Sequence, residues 1–364
     1  MKTFDLLYSN SATRTVIGGN INDLQKFVPY LSKKENCFAV VDENVNRLYP
    51  EILPGIVKII LSSGEKSKNL STIEQLYSLF LDMGVVRSSL IIGIGGGVAL
   101  DIVGYAAATY YRGIRCGFIA TTLLAQVDAA FGGKNGINYD KYKNIIGSIH
   151  QPEFVLCDFK FLETLPEQEL KNGFAEIIKS SLIGNAKLFD FLINNSEYLL
   201  QLDKIVLERV VEDCIKIKTD IVKQDENEKG IRKILNFGHT IGHAIEAEYK
   251  LPHGQAILHG MEFAIWVSMQ IGMLQADEYS IINELILKFK QKIKNKFEPK
   301  KILNNILKDK KKSEDKIDFI LLEKIGKPLI MPISINDLKE YLNQWSMVNG
   351  QWSMVNGQWS MVNG

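Results

Sequence analysis

The segment Ile91-Ile-Gly-Ile-Gly-Gly-Gly-Val98 constrains the fold more than any other, because it joins an apolar run to a helical pattern through a string of glycines. Glycine lets a backbone approach a pyrophosphate closely, and the free amides at a helix start supply donors. A tight structural turn is the plain alternative for such a string. The strand before it, the helix after it and Asp101 in the first helical turn point instead to a dinucleotide site. Around this turn, residues 37–41, 57–61, 89–93 and 117–120 read as buried strands, and residues 70–83 and 98–111 carry helical periodicity. The alternation predicts an α/β chain that starts with a Rossmann-like dinucleotide-binding domain over residues 1–157, its sheet at least partly parallel. From 158 to 343 long amphipathic patterns predict an all-helical domain, with a cleft between the two as the usual place for a ligand.

Residues 344–364 differ from both. Gln344-Trp-Ser-Met-Val-Asn-Gly350 occurs three times in tandem and supplies three of the four tryptophans. Gly and Asn in every copy oppose a coiled coil, so a disordered or loosely docked tail is expected.

Lys plus Arg (43) nearly balances Asp plus Glu (42), so no global field recruits nucleic acid or a membrane surface. An anionic ligand must be held by locally placed cations. The four cysteines (Cys37, Cys116, Cys157, Cys214) form no CxxC pair, which suits reduced thiols in a cytosol. No signal peptide is evident, and no apolar run approaches the roughly 20 residues that cross a bilayer. A cytoplasmic protein is expected.

Four of the five histidines (His239, His243, His253, His259) fall within Leu235-Asn-Phe-Gly-His-Thr-Ile-Gly-His243 and the stretch from His253-Gly-Gln-Ala256 to His259. Imidazoles four apart share a face of a helix, and neutral imidazole suits zinc and its neighbours. Polar caps on a buried helix are the bland reading. In Gly173-Phe-Ala-Glu176-Ile-Ile-Lys179 two charges stand three apart inside an apolar helical pattern. They make either a local ion pair or, more sharply, Glu176 the third metal ligand beside His239 and His253.

Other polar groups cluster in sequence. Asp42-Glu-Asn44 lies just past a strand, where a carboxylate can accept from ribose hydroxyls, and Thr121-Thr122 follows another. Gly64-Glu65-Lys-Ser-Lys68 reads equally well as a solvated turn. Tyr111-Arg112-Gly113, Gln126-Val-Asp128, Gly132-Gly-Lys134 and Lys143-Asn144 together suit a polyhydroxylated, phosphorylated substrate: carboxylates accept from hydroxyls and cations clamp phosphate.

These pieces together resemble the 3-dehydroquinate synthase family of sugar phosphate cyclases. The most specific are Gly95-Gly-Gly-Val-x-x-Asp101, Thr121-Thr-Leu-Leu-Ala-Gln-Val-Asp128, Lys143-Asn144-x-Ile-Gly147, Ala175-Glu176-x-x-Lys179 and Leu235-Asn236-Phe-Gly-His239-x-x-Gly-His243. The resemblance implies a dehydroquinate synthase-like fold with a helical metal-binding second domain. It implies NAD, contacted by Asp42, Glu65, Lys68, Gly96, Gly97, Asp101, Thr121, Thr122, Lys134, Lys143 and Thr164, and a zinc or cobalt ion on Glu176, His239 and His253. Substrate and catalytic positions would be Asp128, Lys134, Asn144, Lys179, Lys218, Arg232, Asn236, His243 and Lys311, with Arg112 reaching across a homodimer interface toward the phosphate. The implied reaction converts 3-deoxy-D-arabino-heptulosonate 7-phosphate to 3-dehydroquinate by transient oxidation by NAD, phosphate elimination, re-reduction and intramolecular aldol closure. Two departures stand out: Gln255 where the family usually has glutamate, and Asn135 where it usually has threonine. Either is expected to alter hydrogen bonding behind the site. The alternatives are a 2-deoxy-scyllo-inosose or aminodehydroquinate synthase, an NAD- and metal-dependent alcohol or glycerol dehydrogenase, and a catalytically lapsed ligand-binding relative.

Overall fold

The computed structural model describes residues 1–32, 34–140, 142–293, 297–309, 315–355 and 358–361. They form two compact units, Met1–Gly173 with Asn195–Glu226, and Phe174–Asn194 with Asn227–Gly364.

In the first unit the elements run β1 (Lys2–Leu7), β2 (Ala12–Ile17), α1 (Leu24–Phe27), β3 (Cys37–Asp42), α2 (Glu43–Leu48), β4 (Val57–Leu61), α3 (Leu70–Asp82), β5 (Leu90–Gly95), α4 (Gly97–Thr109), β6 (Arg115–Ala120), β7 (Lys134–Tyr139), β8 (Tyr142–Ile149) and β9 (Phe154–Cys157). Seven of these strands make one sheet in the order β1-β2-β9-β6-β5-β3-β4. Every neighbour pair is parallel except β1 with β2 at the edge. The apolar runs expected as strands are β3 to β6, and β5 is buried along its whole length, as a parallel strand covered on both faces must be. Chain order reverses between β3 and β5, and the carboxyl ends of parallel strands at such a switch point are where ligands bind.

The chain leaves this unit within α5 (Glu167–Gly184), returns within α6 (Ala186–Leu200) and adds α7 (Lys204–Gln224) before leaving again. The units therefore interleave, where the sequence reading placed one boundary near residue 158. The physical reason is the apolar face of α7 (Val206, Leu207, Val210, Val211, Cys214), which is buried beside β2, with ion pairs from Met1 to Glu208 and Lys2 to Glu212.

The second unit continues with α8 (His239–Tyr249), α9 (His253–Gln270), α10 (Ala276–Phe289), α11 (Pro299–Asp309), β10 (Lys316–Lys324), β11 (Lys327–Ser334) and α12 (Ile335–Gln351). Helix α9 is buried from Gly254 to Ser268. A Cβ on Gly260 would stand 1.9 Å from the carbonyl oxygen of Gly238, so α9 meets the start of α8 backbone to backbone. The hairpin β10–β11, turning at Gly326 with φ +79°, adds two strands to a region expected to be helical throughout. The first copy of the tandem repeat also differs from expectation: it continues α12, and Trp345 is buried edge-on against Phe263 and Phe297 at 5.5 and 4.9 Å. Burying that indole ties down a helix end that Asn and Gly would otherwise weaken, so a loose tail cannot start at 344. Beyond it, Trp352–Val355 pairs antiparallel with Gln358–Met361. Among the described residues no helix is long and apolar enough to cross a membrane.

Candidate active site

In the second unit, three residues distant in sequence converge. Glu176 lies in α5, His239 is the first residue of α8 and His253 the first of α9. One ligand atom from each lies within 4.8 Å of the other two. The Nε2 atoms of His239 and His253 stand 3.8 and 3.6 Å from Glu176 Oε1. Two ligands each about 2.0–2.1 Å from a tetrahedral zinc are about 3.4 Å apart, so these separations are close to those of atoms sharing one cation. Both Glu176 oxygens are buried without a hydrogen bond of good geometry, although Lys179 ion-pairs with one of them. The ion pair and the histidine convergence, alternatives in sequence, coexist here.

The remaining ring nitrogens are engaged. His239 Nδ1 donates to Phe237 O at 3.0 Å, and His253 Nδ1 pairs with Glu246 at 3.2 Å. These bonds orient both Nε2 atoms toward Glu176, the arrangement that metal-bound histidines require once deprotonated. The donor set fits a divalent transition metal.

Electrostatics agree. Burial drives the His239 pKa down to about 3, helped by Lys179, so its imidazole is neutral. Burial also opposes charge on His253, but the carboxylates of Glu176 and Glu246 outweigh it and raise that pKa to about 9. Burial works against the ionised form of Glu176 too; Lys179 and the two histidines overcome it and hold the carboxyl well below its ordinary range. A proton on His253 is thus the positive charge that a metal would replace.

His243 is exposed on the same helix, its ring 5.2 Å from His239 and 6.0 Å from His253. His259 does not join the cluster. It is buried, donates from Nε2 to Gln291 O at 2.9 Å and faces Glu262, which pairs with Lys290. Arg232 is buried and Asn236 exposed in the turn before α8, with Asn236 donating to Glu228 at 3.3 Å. Lys311 lies outside the described residues.

In the first unit the glycine turn joins β5 to α4. No side chain caps α4, leaving its first-turn amides for a ligand. A Cβ on Gly96 would come within 2.8 Å of Thr122, and one on Gly95 within 3.1 Å of the Asp42 Cβ. Asp42, Gly96, Gly97, Thr121 and Thr122 thus gather at the carboxyl ends of β3, β5 and β6. Asp42 caps α2 and accepts from Ser63 at 2.7 Å. Lys68 is buried between Asp101 and Asn144 and bonds to both. Glu65 accepts from Asn138 at 2.7 Å. Lys218 binds the Asp128 carboxylate and carbonyl, both at 2.8 Å. Lys134, Lys143 and Arg112 are exposed, Arg112 with φ +63°. Thr164 bonds to Tyr49 at 2.9 Å, past the far end of α2 from Asp42.

Neither sequence departure touches Glu176, His239 or His253. Gln255 donates to Phe289 O at 3.1 Å and accepts from Gln291 N at 2.6 Å, while Asn135 donates to Gly133 O at 2.7 Å and His150 O at 3.0 Å. Sequence reasoning missed Glu246 and Asn138. Glu246 was findable, seven residues after His239 and three after His243 on one helical face.

The 3-dehydroquinate synthase N-terminal model matches residues 58–172 and the 3-dehydroquinate synthase C-terminal model residues 173–312. The chain belongs to the 3-dehydroquinate synthase family. A 3-dehydroquinate synthase of Alkaliphilus metalliredigens is 40% identical over 302 residues, covering 80% of this chain and 85% of the relative. One of Pelagibacter ubique is 39% identical over 343 residues, covering 88% and 92%. Among solved structures, a 2-deoxy-scyllo-inosose synthase complexed with carbaglucose-6-phosphate, NAD+ and Co2+ is similar with TM-score 0.83 and 26% identity, over 94% of this chain and 99% of that one.

Proposed function

We propose that this protein is a 3-dehydroquinate synthase: a phosphate-eliminating lyase that turns 3-deoxy-D-arabino-heptulosonate 7-phosphate into 3-dehydroquinate and phosphate, on the shikimate route to aromatic amino acids. The observation that carries this reading is the convergence of Glu176, His239 and His253, in a chain of this family. These three would hold a zinc or cobalt ion, which as a Lewis acid stabilises negative charge on a substrate hydroxyl oxygen. The uncapped start of α4, with Asp42, Glu65, Lys68, Asp101, Thr121, Thr122, Lys143 and Thr164, would hold NAD, which would supply reversible hydride acceptance.

The chain's own groups do the rest. His243, exposed beside His239 and His253, takes up the proton released as the carbinol is oxidised. Asn236, exposed in the turn before α8, offers an amide to the substrate. Lys134, Asn144 and Arg112 hold the phosphate as it departs. Arg232 and Lys218 supply fixed positive charge for the substrate carboxylate, and Asp128, anchored by Lys218, accepts from ring hydroxyls. Lys179 and the metal share the Glu176 carboxylate, so Lys179 balances charge as the metal binds. Lys311 is assigned a substrate contact on resemblance alone.

A homodimer and a cytoplasmic location belong to the same reading. Exposed Tyr139, Tyr142, Ile145 and Ile149 gather apolar area on one hairpin, suited to burial against a second copy, and Arg112 is exposed to reach it. Four buried free thiols suit a reducing compartment.

The test offers the purified protein, with NAD and metal, three substrates in turn: the heptulosonate phosphate, glucose 6-phosphate and glycerol. Phosphate release from the first without net NADH is the expected result. Turnover confined to glucose 6-phosphate would replace the reading with an inosose synthase, and net NADH from glycerol with a dehydrogenase.

A further inference from the structure

The hairpin β7–β8 carries Lys134, Lys143 and Asn144, and its register breaks at one place, between Ile137 and Tyr139. Ile137 pairs with Ile146 and Tyr139 with Tyr142, so Asn138 alone stands opposite residues 143–145, and the extra residues make a bulge in β8. A bulge breaks the local ladder and leaves backbone groups on both strands to find other partners. The Asn138 backbone N–H donates out of the hairpin to Lys68 O at 2.8 Å. Its side-chain amide donates to Glu65 at 2.7 Å, and its side-chain oxygen accepts from Asn144 N at 2.9 Å. Lys68 closes the circuit through its ammonium, bonded to Asn144 and to Asp101 in α4. Asn144 itself has φ +54°, a left-handed conformation that such bonds help to hold.

From this geometry we infer that Asn138 is a positioning residue that couples the nucleotide loop 64–68 to the β8 bulge at Asn144, so that NAD and the phosphate group of the substrate bind cooperatively. This rests on the proposed assignment of Glu65 and Lys68 to NAD and of Asn144 to phosphate. Anything that orders the loop pins three of the hairpin's bonds, and anything that orders the bulge pins the same bonds from the other side. Such coupling is necessarily reciprocal.

The test uses the full-length, metal-loaded protein and calorimetric titration of NAD, with and without saturating inorganic phosphate. The parent is expected to bind NAD at least about fivefold more tightly with phosphate present. Asn138→Asp keeps the acceptor for Asn144 but sets a carboxylate against Glu65, and Asn138→Ala removes both bonds. Each is expected to bring the ratio to within about twofold of unity, with metal content unchanged. If Asn138→Ala also lowers the unfolding temperature, the milder Asn138→Asp decides. A parental ratio near one, or a ratio preserved in the folded variants, overturns the inference. A parent that binds no NAD at all would instead sink the functional proposal on which it rests.

Discussion

Glu176, His239 and His253 sit on three helices, one of them buried along most of its length and packed backbone to backbone on another, whereas Lys134, Lys143 and Asn144 sit on a two-stranded hairpin whose exposed residues are held by a few side-chain hydrogen bonds. The contrast matches what the roles proposed for each group require. Metal ligands need atoms fixed to a few tenths of an ångström, which rigid elements supply. A phosphate is gripped by long cations on a surface that must admit and release it.

The contrast can be broken at its strongest point first. Glu176→Gln and His253→Ala are expected to abolish metal retention, measured by elemental analysis, and to cut turnover by more than the roughly 100-fold that loss of an outer-shell partner costs. On the hairpin, Asn144→Ala removes the Lys68 contact and strains a left-handed backbone. Metal content should stay at the parent level while the KM for the sugar phosphate rises, by roughly tenfold for a lost bond of about 1.5 kcal/mol. Glu246→Ala frees His253 Nδ1 and is expected to weaken metal affinity about 10–100-fold in competition with a chelator, leaving NAD affinity as it was. Gly260→Ala acts on the packing itself. Its methyl must displace the Gly238 carbonyl next to His239, at a cost of about 3 kcal/mol or more in denaturant unfolding, with a loss of metal affinity.

Legibility in the sequence followed the same contrast. Strands β3 to β6 and helices α3 and α4 were readable because parallel strands buried on both faces are continuous apolar runs, and the glycine turn marks their junction. The grouping of His239 and His253 with Glu176 was readable because histidines are few and clustered. What stayed hidden depends on packing between distant segments. Nothing local in 204–224 says that α7 belongs beside β2, or that Trp345 is buried on Phe263. His259, as good a candidate by spacing as its neighbours, is turned away to Gln291 and Glu262. Asn138 looks like an ordinary turn residue until the register break is seen.

X-ray absorption spectroscopy of the zinc- or cobalt-loaded protein, recorded on the parent and on Glu176→Gln, reads the ligand shell itself. One metal per chain is expected, with two imidazole nitrogens and a carboxylate oxygen in the parent's shell, and loss of bound metal in the variant. A parent shell without two imidazoles, or a variant that keeps the metal in an unchanged shell, would contradict that expectation.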